Sequence, residues 1–273
     1  MTTWQQYMIE RVEGREGAMP WFLHDKLRCY DFLSSIDIPT VEVLRRFATP
    51  AEIELDGLPK EFVLKPTLQS STKGVMVLRA EEDGWYESLR RRTMTTEQII
   101  EEQAKLFEDS PLPGNKIIVE EKIADAGQFA IPRDFKAYAF RGLVSLVLQI
   151  DRNTKPSTVA WFDGAFEPVN DGRVWTNPAY VAEAPAAPPE GAWSLLRIAS
   201  AVSAAIPTPF ASIDMYLTPR GPVVGEITLA PGGLYHGQHY RLSRDQQRLM
   251  GWMWEQAAAD VLAPASKPIE DPA

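Results

Sequence analysis

The chain has 273 residues, 45% of them hydrophobic and 24% charged, with a net charge of −9 at pH 7. That length and apolar content support one large domain or two small ones with a real core, and exclude a disordered chain, a collagen-like repeat and a disulfide scaffold. A single cysteine, Cys29, with His24, His236 and His239 as the only histidines, excludes an intramolecular disulfide, a cysteine-only zinc centre and a zinc-protease helix, while the acidic balance opposes binding to nucleic-acid phosphates. No segment approaches the roughly 20 apolar residues of a membrane span. Residues 1–20 carry Glu10, Glu13 and Glu16 and lack the apolar block of a secretory signal. The expectation is an acidic cytoplasmic enzyme.

In chain order, residues 1–47 read as a helical N-terminal segment closed near Pro39, and 48–59 as a connector rich in acids and proline. Residues 61–66 and 74–78 read as two strands joined by a long polar tip. Apolar residues at Ile99, Ile100, Ala104, Leu106 and Phe107 predict a helix over 96–107, capped by Thr95 or Thr96. Residues 111–114 break it and 116–123 form the next strand. A hairpin follows over 134–140 and 143–150, turning at Arg141-Gly142, and then a short strand and turn at 161–168. Residues 182–191 read as a surface connection, 194–206 as an apolar helix, 210–217 and 223–229 as a third hairpin, and 243–262 as the last helix before a loose tail at 263–273. Cys29 and the tryptophans are assigned to packing. Helices mixed with antiparallel strand pairs make the class α+β. Neither a G-x-G-x-x-G nor a Walker-type loop is present, so a nucleotide must be held in another way.

The third hairpin argues for a metal. Alternate residues of a strand share a face. Ala211, Ile213, Met215 and Leu217 with Val223, Gly225, Ile227 and Leu229 make an apolar face, and Ser212, Asp214 and Tyr216 with Val224, Glu226 and Thr228 make the other. A turn symmetric about Arg220, with a loop of three or five residues, places Asp214 opposite Glu226. Facing carboxylates repel unless a cation lies between them. Oxygen donors without cysteine or histidine favour Mg²⁺ over Zn²⁺. The competing reading is a solvated polar face with each acid beside a base. Pro231-Gly232-Gly233, which lets backbone approach a ligand, tips the balance toward a site.

Lys65 ends the apolar run Phe62-Val63-Leu64, where a lysine needs a partner for its amine. The tip that follows, 67–74, is small and hydroxyl-rich, and backbone N–H groups there suit phosphates. Singly, this tip reads better as an ordinary solvent loop; Lys65 and the metal-binding hairpin shift the balance. Asp134 and Lys136 share a strand face, and Arg152 closes the next strand beside Asp151; each taken alone reads as a surface ion pair.

Together these pieces resemble the ATP-grasp superfamily, in its teichuronopeptide-biosynthesis-like (TupA-like) branch, from about His24 to Gly251. The resemblance is carried by His24-Asp25-Lys26, by 58–66 with the Ser/Thr/Gly loop to Gly74, and by Val119-Glu120-Glu121-Lys122-Ile123. It continues through Arg133-Asp134-Phe135-Lys136, Asp151-Arg152, Ser212-Ile213-Asp214-Met215-Tyr216 and 225–233.

The resemblance implies two α+β lobes with antiparallel sheets clamping ATP: a small lobe over 48–123 carrying the phosphate loop and hinge, and a large lobe over 124–262 carrying the metal and substrate site. It implies Lys26 and Lys65 on the α- and β-phosphates, with the loop containing Ser70, Ser71, Thr72, Lys73 and Gly74 closing over the triphosphate. Glu120, Glu121 and Ile123 would form the adenine hinge, and Asp125 or Gln128 would bind ribose. Lys136 and Arg152 would meet the γ-phosphate and the acyl intermediate as catalytic groups. Asp214 and Glu226 would hold Mg²⁺, with Thr228 standing where the wider superfamily has asparagine. Arg152, Gly232, Gly233 and His236 would face the substrate. Only 25 residues precede Lys26, which implies a much reduced N-terminal domain.

The activity implied is ATP-dependent ligation of a small-molecule carboxylate to an amine through an acyl phosphate, releasing ADP, in small-molecule, peptide, cell-envelope or natural-product biosynthesis. Its rivals are a small-molecule kinase on the same fold and a nucleotide-binding module without turnover.

Overall fold

The computed structural model describes residues 2–70 and 72–262; Ser71 and the tail at 263–273 lie outside the described residues. Helix α1 (Trp4–Val12) opens the chain. Thr3 caps it, its hydroxyl accepting from the Gln6 N–H while the Gln6 side chain accepts from the Thr3 N–H. The chain then divides into two compact units: one combines the residues up to Trp21 with those from Asp125 onward, and the other is Phe22–Ala124.

The Phe22–Ala124 unit holds α2 (Lys26–Ser35), β1 (Val43–Phe47), β2 (Glu61–Pro66), β3 (Met76–Glu81), β4 (Gly84–Glu87), β5 (Arg92–Met94), α3 (Thr96–Asp109) and β6 (Ile117–Glu121). Asp25 caps α2 by accepting from the Arg28 N–H, and Thr95 caps α3 through a second capping box. The strands form one antiparallel sheet in the order β1-β6-β2-β3-β4-β5. One face carries Phe62, Leu64, Met76, Leu78, Ile117 and Val119, which pack with Ile99 of α3. On β2 the alternation puts Val63 and Lys65 on the other face.

Part of the N-terminal helical reading is corrected here, because residues 43–47 form a strand. Arg45, Arg46 and Phe47 pair with Val119, Ile118 and Ile117 of β6. A five-residue apolar and basic run is too short to hold a helix alone, and a long-range sheet edge overrides its local preference.

The other unit continues from α1 with β7 (Asp134–Phe140), β8 (Leu143–Asp151), β9 (Thr158–Asp163), β10 (Val174–Thr176), β11 (Ala182–Glu183), α4 (Ala192–Ala205), β12 (Ala211–Thr218), β13 (Gly221–Thr228), α5 (Gly232–Tyr235), β14 (Tyr240–Leu242) and α6 (Arg244–Leu262). Its main sheet runs β11-β9-β8-β7-β12-β13, antiparallel except where β11 joins β9, and β10 pairs with β14. Trp4 and Met8 of α1 and Met250, Met253 and Trp254 of α6 pack on Tyr138, Phe140, Leu146, Leu148 and Trp161 of the sheet. Helix α4 packs against β7, β8, β12 and β13. Trp4, Trp161 and Trp254 are buried as expected, whereas Trp21, Trp175, Trp193 and Trp252 are exposed, a correction to the assignment of every tryptophan to packing. Among the described residues, no helix is long and apolar enough to cross a membrane.

The α1–α6 contact gives a test. A Cβ placed on Gly251 of α6 would stand 2.0 Å from the Thr2 carbonyl oxygen. Alanine raises helix propensity by about 1 kcal/mol over glycine, but here it must push backbone aside. Gly251→Ala is expected to destabilise the protein by about 1–3 kcal/mol in urea titration; a gain in stability would show that α1 yields freely.

Candidate active site

The β12–β13 hairpin brings the two predicted metal carboxylates into register, by a route the residues did not announce. Thr218 pairs with Gly221, so the turn holds only Pro219 and Arg220. From there Leu217 meets Pro222, Tyr216 meets Val223 and Met215 meets Val224. The register then slips by one residue, and Asp214 faces Glu226, Ile213 faces Ile227 and Ser212 faces Thr228. The expected odd-length loop is therefore corrected. A bulge at Gly225 supplies the residue that the short turn lacks. It also reverses the expected faces of two valines, putting Val223 beside Tyr216 and Val224 beside Met215. Glycine is required at the bulge because a Cβ there would stand 2.7 Å from the Tyr216 ring.

Asp214 also pairs with Lys136 on β7, giving a row Glu226, Asp214, Lys136 across three strands. The Lys136 ammonium forms an ion pair with Asp214 and lies 3.6 Å from Asp134. Arg152 Nη2 donates to Asp134 Oδ2 at 3.0 Å. Asp134 and Asp214 are buried. Burial raises the Asp214 pKa above the usual carboxylate range, with Asp134 and Glu226 adding to the rise and Lys136 opposing it. For Asp134, burial is outweighed by Lys136 and Arg152, and its pKa is lowered. Burial disfavours the Lys136 charge, yet Asp134 and Asp214 prevail and its pKa is raised.

Three buried polar atoms of this face, Asp134 Oδ1, Asp214 Oδ1 and Ser212 Oγ, have no hydrogen-bond partner among the described residues. An unpartnered carboxylate oxygen facing a second carboxylate suits a hard cation. Among the described residues, no group of three or more His, Cys, Asp or Glu side chains is arranged to hold a metal. The donor set is thus two carboxylates with half-buried Thr228 alongside, which fits Mg²⁺ as it binds beside phosphates and water, not an all-protein cage.

Downstream, Gly232 and Gly233 lie in α5 and His236 caps its C-terminus, exposed, with its ring 4.7 Å from that of Tyr235. A Cβ at Gly232 or Gly233 would come no closer than 3.5 Å to any neighbour. The backbone does not require these glycines.

In the Phe22–Ala124 unit, Lys65 forms an ion pair with Glu120 at 2.7 Å and donates to the Tyr30 hydroxyl at 3.2 Å. That hydroxyl donates to Glu120 Oε1 at 2.6 Å. Lys26 is buried, and its ammonium donates to the Gln69 carbonyl at 2.9 Å, at the entry to the polar tip between β2 and β3. Gln103 of α3 donates to the Gly74 carbonyl at 2.8 Å, holding the exit. Between these anchors Ser70, Thr72 and Lys73 are exposed; Ser71 lies outside the described residues. Gly74 has φ 71°, and a Cβ there would strike Leu106 and Pro66. Glu121 ends β6, receiving the Glu42 N–H on its carboxylate, and Ile123 follows the last paired residue.

Asp125 and Gln128 are separated by their surroundings. The Asp125 carboxylate is buried and accepts from the Gly127 and Arg133 N–H groups and from the Arg133 guanidinium. Gln128 is exposed, with φ 63°. Two residues of these networks were given no role by the sequence reading. Asp134 was read on the strand face of Lys136 and, singly, as a surface ion pair. Tyr30 lies one turn after Lys26 on α2, and that i,i+4 relation was its only signal.

Comparison with solved structures identifies the architecture. It matches the crystal structure of a D-alanine–D-alanine ligase from Bacillus anthracis with a TM-score of 0.50 and 16% identity, covering 88% of this chain and 68% of that one. D-alanyl-alanine synthetase A from Vibrio cholerae gives 0.49, with 16% identity over 88% of this chain and 64% of that one. An L-amino acid ligase from Bacillus licheniformis gives 0.46, with 16% identity over 85% of this chain and 50% of that one. The chain has the ATP-grasp fold. The model of the TupA-like ATP-grasp family matches residues 8–251, and the chain belongs to that family. No curated protein matches it.

The bulge is open to test. Gly225→Ala drives a Cβ against the Tyr216 ring and is expected to cost about 1–3 kcal/mol in urea titration. Wild-type stability would show that the register is held by something else.

Proposed function

We propose that the protein is an ATP-dependent carboxylate–amine ligase. The reading is carried by the Asp214–Glu226 pair, in register, partly buried and short of a partner at Asp214 Oδ1, beside Lys136 and Arg152. The γ-phosphoryl group of ATP passes to a substrate carboxylate, giving an acyl phosphate and ADP. An amine nitrogen then attacks the acyl carbon, the carbon–oxygen bond to phosphate breaks, and the amine loses a proton as the amide forms. Asp214 and Glu226, with Thr228 adjacent, would hold Mg²⁺, which would supply charge neutralisation for the transferring phosphoryl group.

The chain's own groups do the remaining work in this scheme. Lys136 and Arg152 bind the γ-phosphate and the acyl phosphate oxygens. Lys26 and Lys65 bind the α- and β-phosphates, Lys65 being held in place by Glu120 and Tyr30. Ser70, Ser71, Thr72, Lys73 and Gly74 cover the triphosphate and keep water from the acyl phosphate. Glu120, Glu121 and Ile123 offer backbone groups to adenine. Gln128 is the better ribose contact, because Asp125 already has its carboxylate oxygens engaged. Gly232, Gly233 and exposed His236 border the substrate. A free carboxylate and an amine are the substrate classes, and a cytoplasmic setting would supply the ATP.

The test is ADP release screened over amino acids, hydroxy acids and sugar acids, with hydroxylamine as a trap for the acyl phosphate. A hydroxamate formed together with ADP is expected. ADP formed with a phosphorylated hydroxyl and no hydroxamate would make the protein a kinase. Asp214→Asn and Glu226→Gln are each expected to lower Mg²⁺-dependent ADP release about 100-fold or more. Unchanged release in both variants overturns the metal assignment.

A further inference from the structure

Arg11, on α1, is remote in sequence from every residue of the proposed site, yet its side chain is fully buried. Every guanidinium donor is used. Nε donates to Glu16 Oε2 at 2.5 Å, and Nη2 to Glu16 Oε1 and Thr208 Oγ1, both at 2.8 Å. Nη1 donates to the Phe210 carbonyl at 2.9 Å and the Leu229 carbonyl at 2.8 Å. The guanidinium carbon lies 4.2 Å from the centre of the Trp254 ring.

The two carbonyls define the consequence. Phe210 immediately precedes β12 and Leu229 immediately follows β13. Sheet pairing between these strands ends at Ser212 and Thr228. The single nitrogen Nη1 therefore bridges the two chains just beyond the last rung, at the end away from the turn. Asp214 and Glu226 lie about 10–13 Å along their strands from this bridge, at roughly 3.3 Å per residue. On their other side the ladder is broken by the bulge at Gly225. The carboxylate pair thus sits on a short stretch of regular hairpin, with a bulge at one end and the Arg11 bridge at the other.

We propose that Arg11 is a positioning residue for the metal carboxylates, closing the open end of the hairpin so that Asp214 and Glu226 keep the spacing a cation needs. The inference rests on the reading of that hairpin as the Mg²⁺ site. Arginine is required because its planar fork holds Glu16 and Thr208 on one side and both strands on the other. Lysine offers the same charge from one nitrogen and cannot span these partners. Metal sites respond strongly to such supports, which set where the ligands stand.

The experiment titrates the full chain with Mn²⁺ in the presence of the non-hydrolysable ATP analogue AMP-PNP, reading bound Mn²⁺ by electron paramagnetic resonance beside the melting temperature. Arg11→Lys is expected to raise the Mn²⁺ dissociation constant about 10-fold or more. Phe162→Leu, a core truncation on β9, which β8 and β7 separate from β12, is the control: it lowers the melting temperature and leaves Mn²⁺ affinity unchanged. Glu16→Gln, which loosens the guanidinium without removing it, is expected to fall between wild type and Arg11→Lys and serves if the lysine variant does not fold. Wild-type Mn²⁺ affinity in the variants at Arg11 and Glu16, or an equal loss in Phe162→Leu, overturns the inference. Asp214→Asn separates the two ideas: if it binds Mn²⁺ as the wild type does, the metal reading fails and the inference falls with it. If it loses Mn²⁺ while Arg11→Lys does not, the inference fails alone.

Discussion

Buried carboxylates standing side by side on one sheet face are the constraint around which the larger unit is organised. Buried Asp134 and Asp214, with half-buried Glu226 beside them, share a face with Lys136 and Arg152, and each buried acid would cost several kcal/mol without a compensating charge. Lys136 occupies the one position that can serve two of them, since β7 lies between β8 and β12 and its residue 136 is in register with Asp214. Arg152 completes the neutralisation of Asp134 from the end of β8. Glu226 stands on the far side of Asp214 from Lys136, and Asp134 Oδ1 and Asp214 Oδ1 have no hydrogen-bond partner among the described residues. Such a half-compensated network is a poor device for stability. It is a sensible one for holding an ion beside phosphates.

The same face changes character along its length. Where α1 and α6 cover it, Tyr138, Leu146, Leu148 and Trp161 form a close-packed core; beyond them it carries the charged row. The apolar part immobilises the strands that present the charged part. The Phe22–Ala124 unit follows a similar logic at smaller scale. Its apolar face packs on α3, and its other face presents Lys65, paired with Glu120 and braced by Tyr30. The loop after β2 is fastened at both ends, by Lys26 and Gln103, while its tip stays exposed. Fixed ends and an exposed middle are what a covering loop needs.

Much of this was legible in the residues. The hairpin 134–150, the strand 61–66 and the helices from Thr96, Ala192 and Arg244 appear close to where periodicity puts them. The short strands β1, β4, β5, β10 and β14 were not readable, because three to five residues carry too little pattern to compete with loop or helix and acquire strand geometry only from a partner. The facing of Asp214 and Glu226 was legible through their shared strand face. Tyr30 and Arg11 were not singled out, because each finds its partners among residues distant in the chain.

Local pattern determines the type of the longer elements and the faces taken along their regularly paired stretches, since both follow from backbone geometry within a few residues. Which charges then meet depends on register, and register is a property of the closed hairpin. The reading placed Asp214 opposite Glu226 by assuming an odd loop; the folded chain reaches the same pairing with an even one and a bulge at Gly225. Two opposite errors in counting cancel, and nothing in residues 210–229 by themselves distinguishes the cases. What decides is the surrounding packing: the β7 register that holds Lys136 against Asp214, and the Arg11 bridge from the opposite end of the chain.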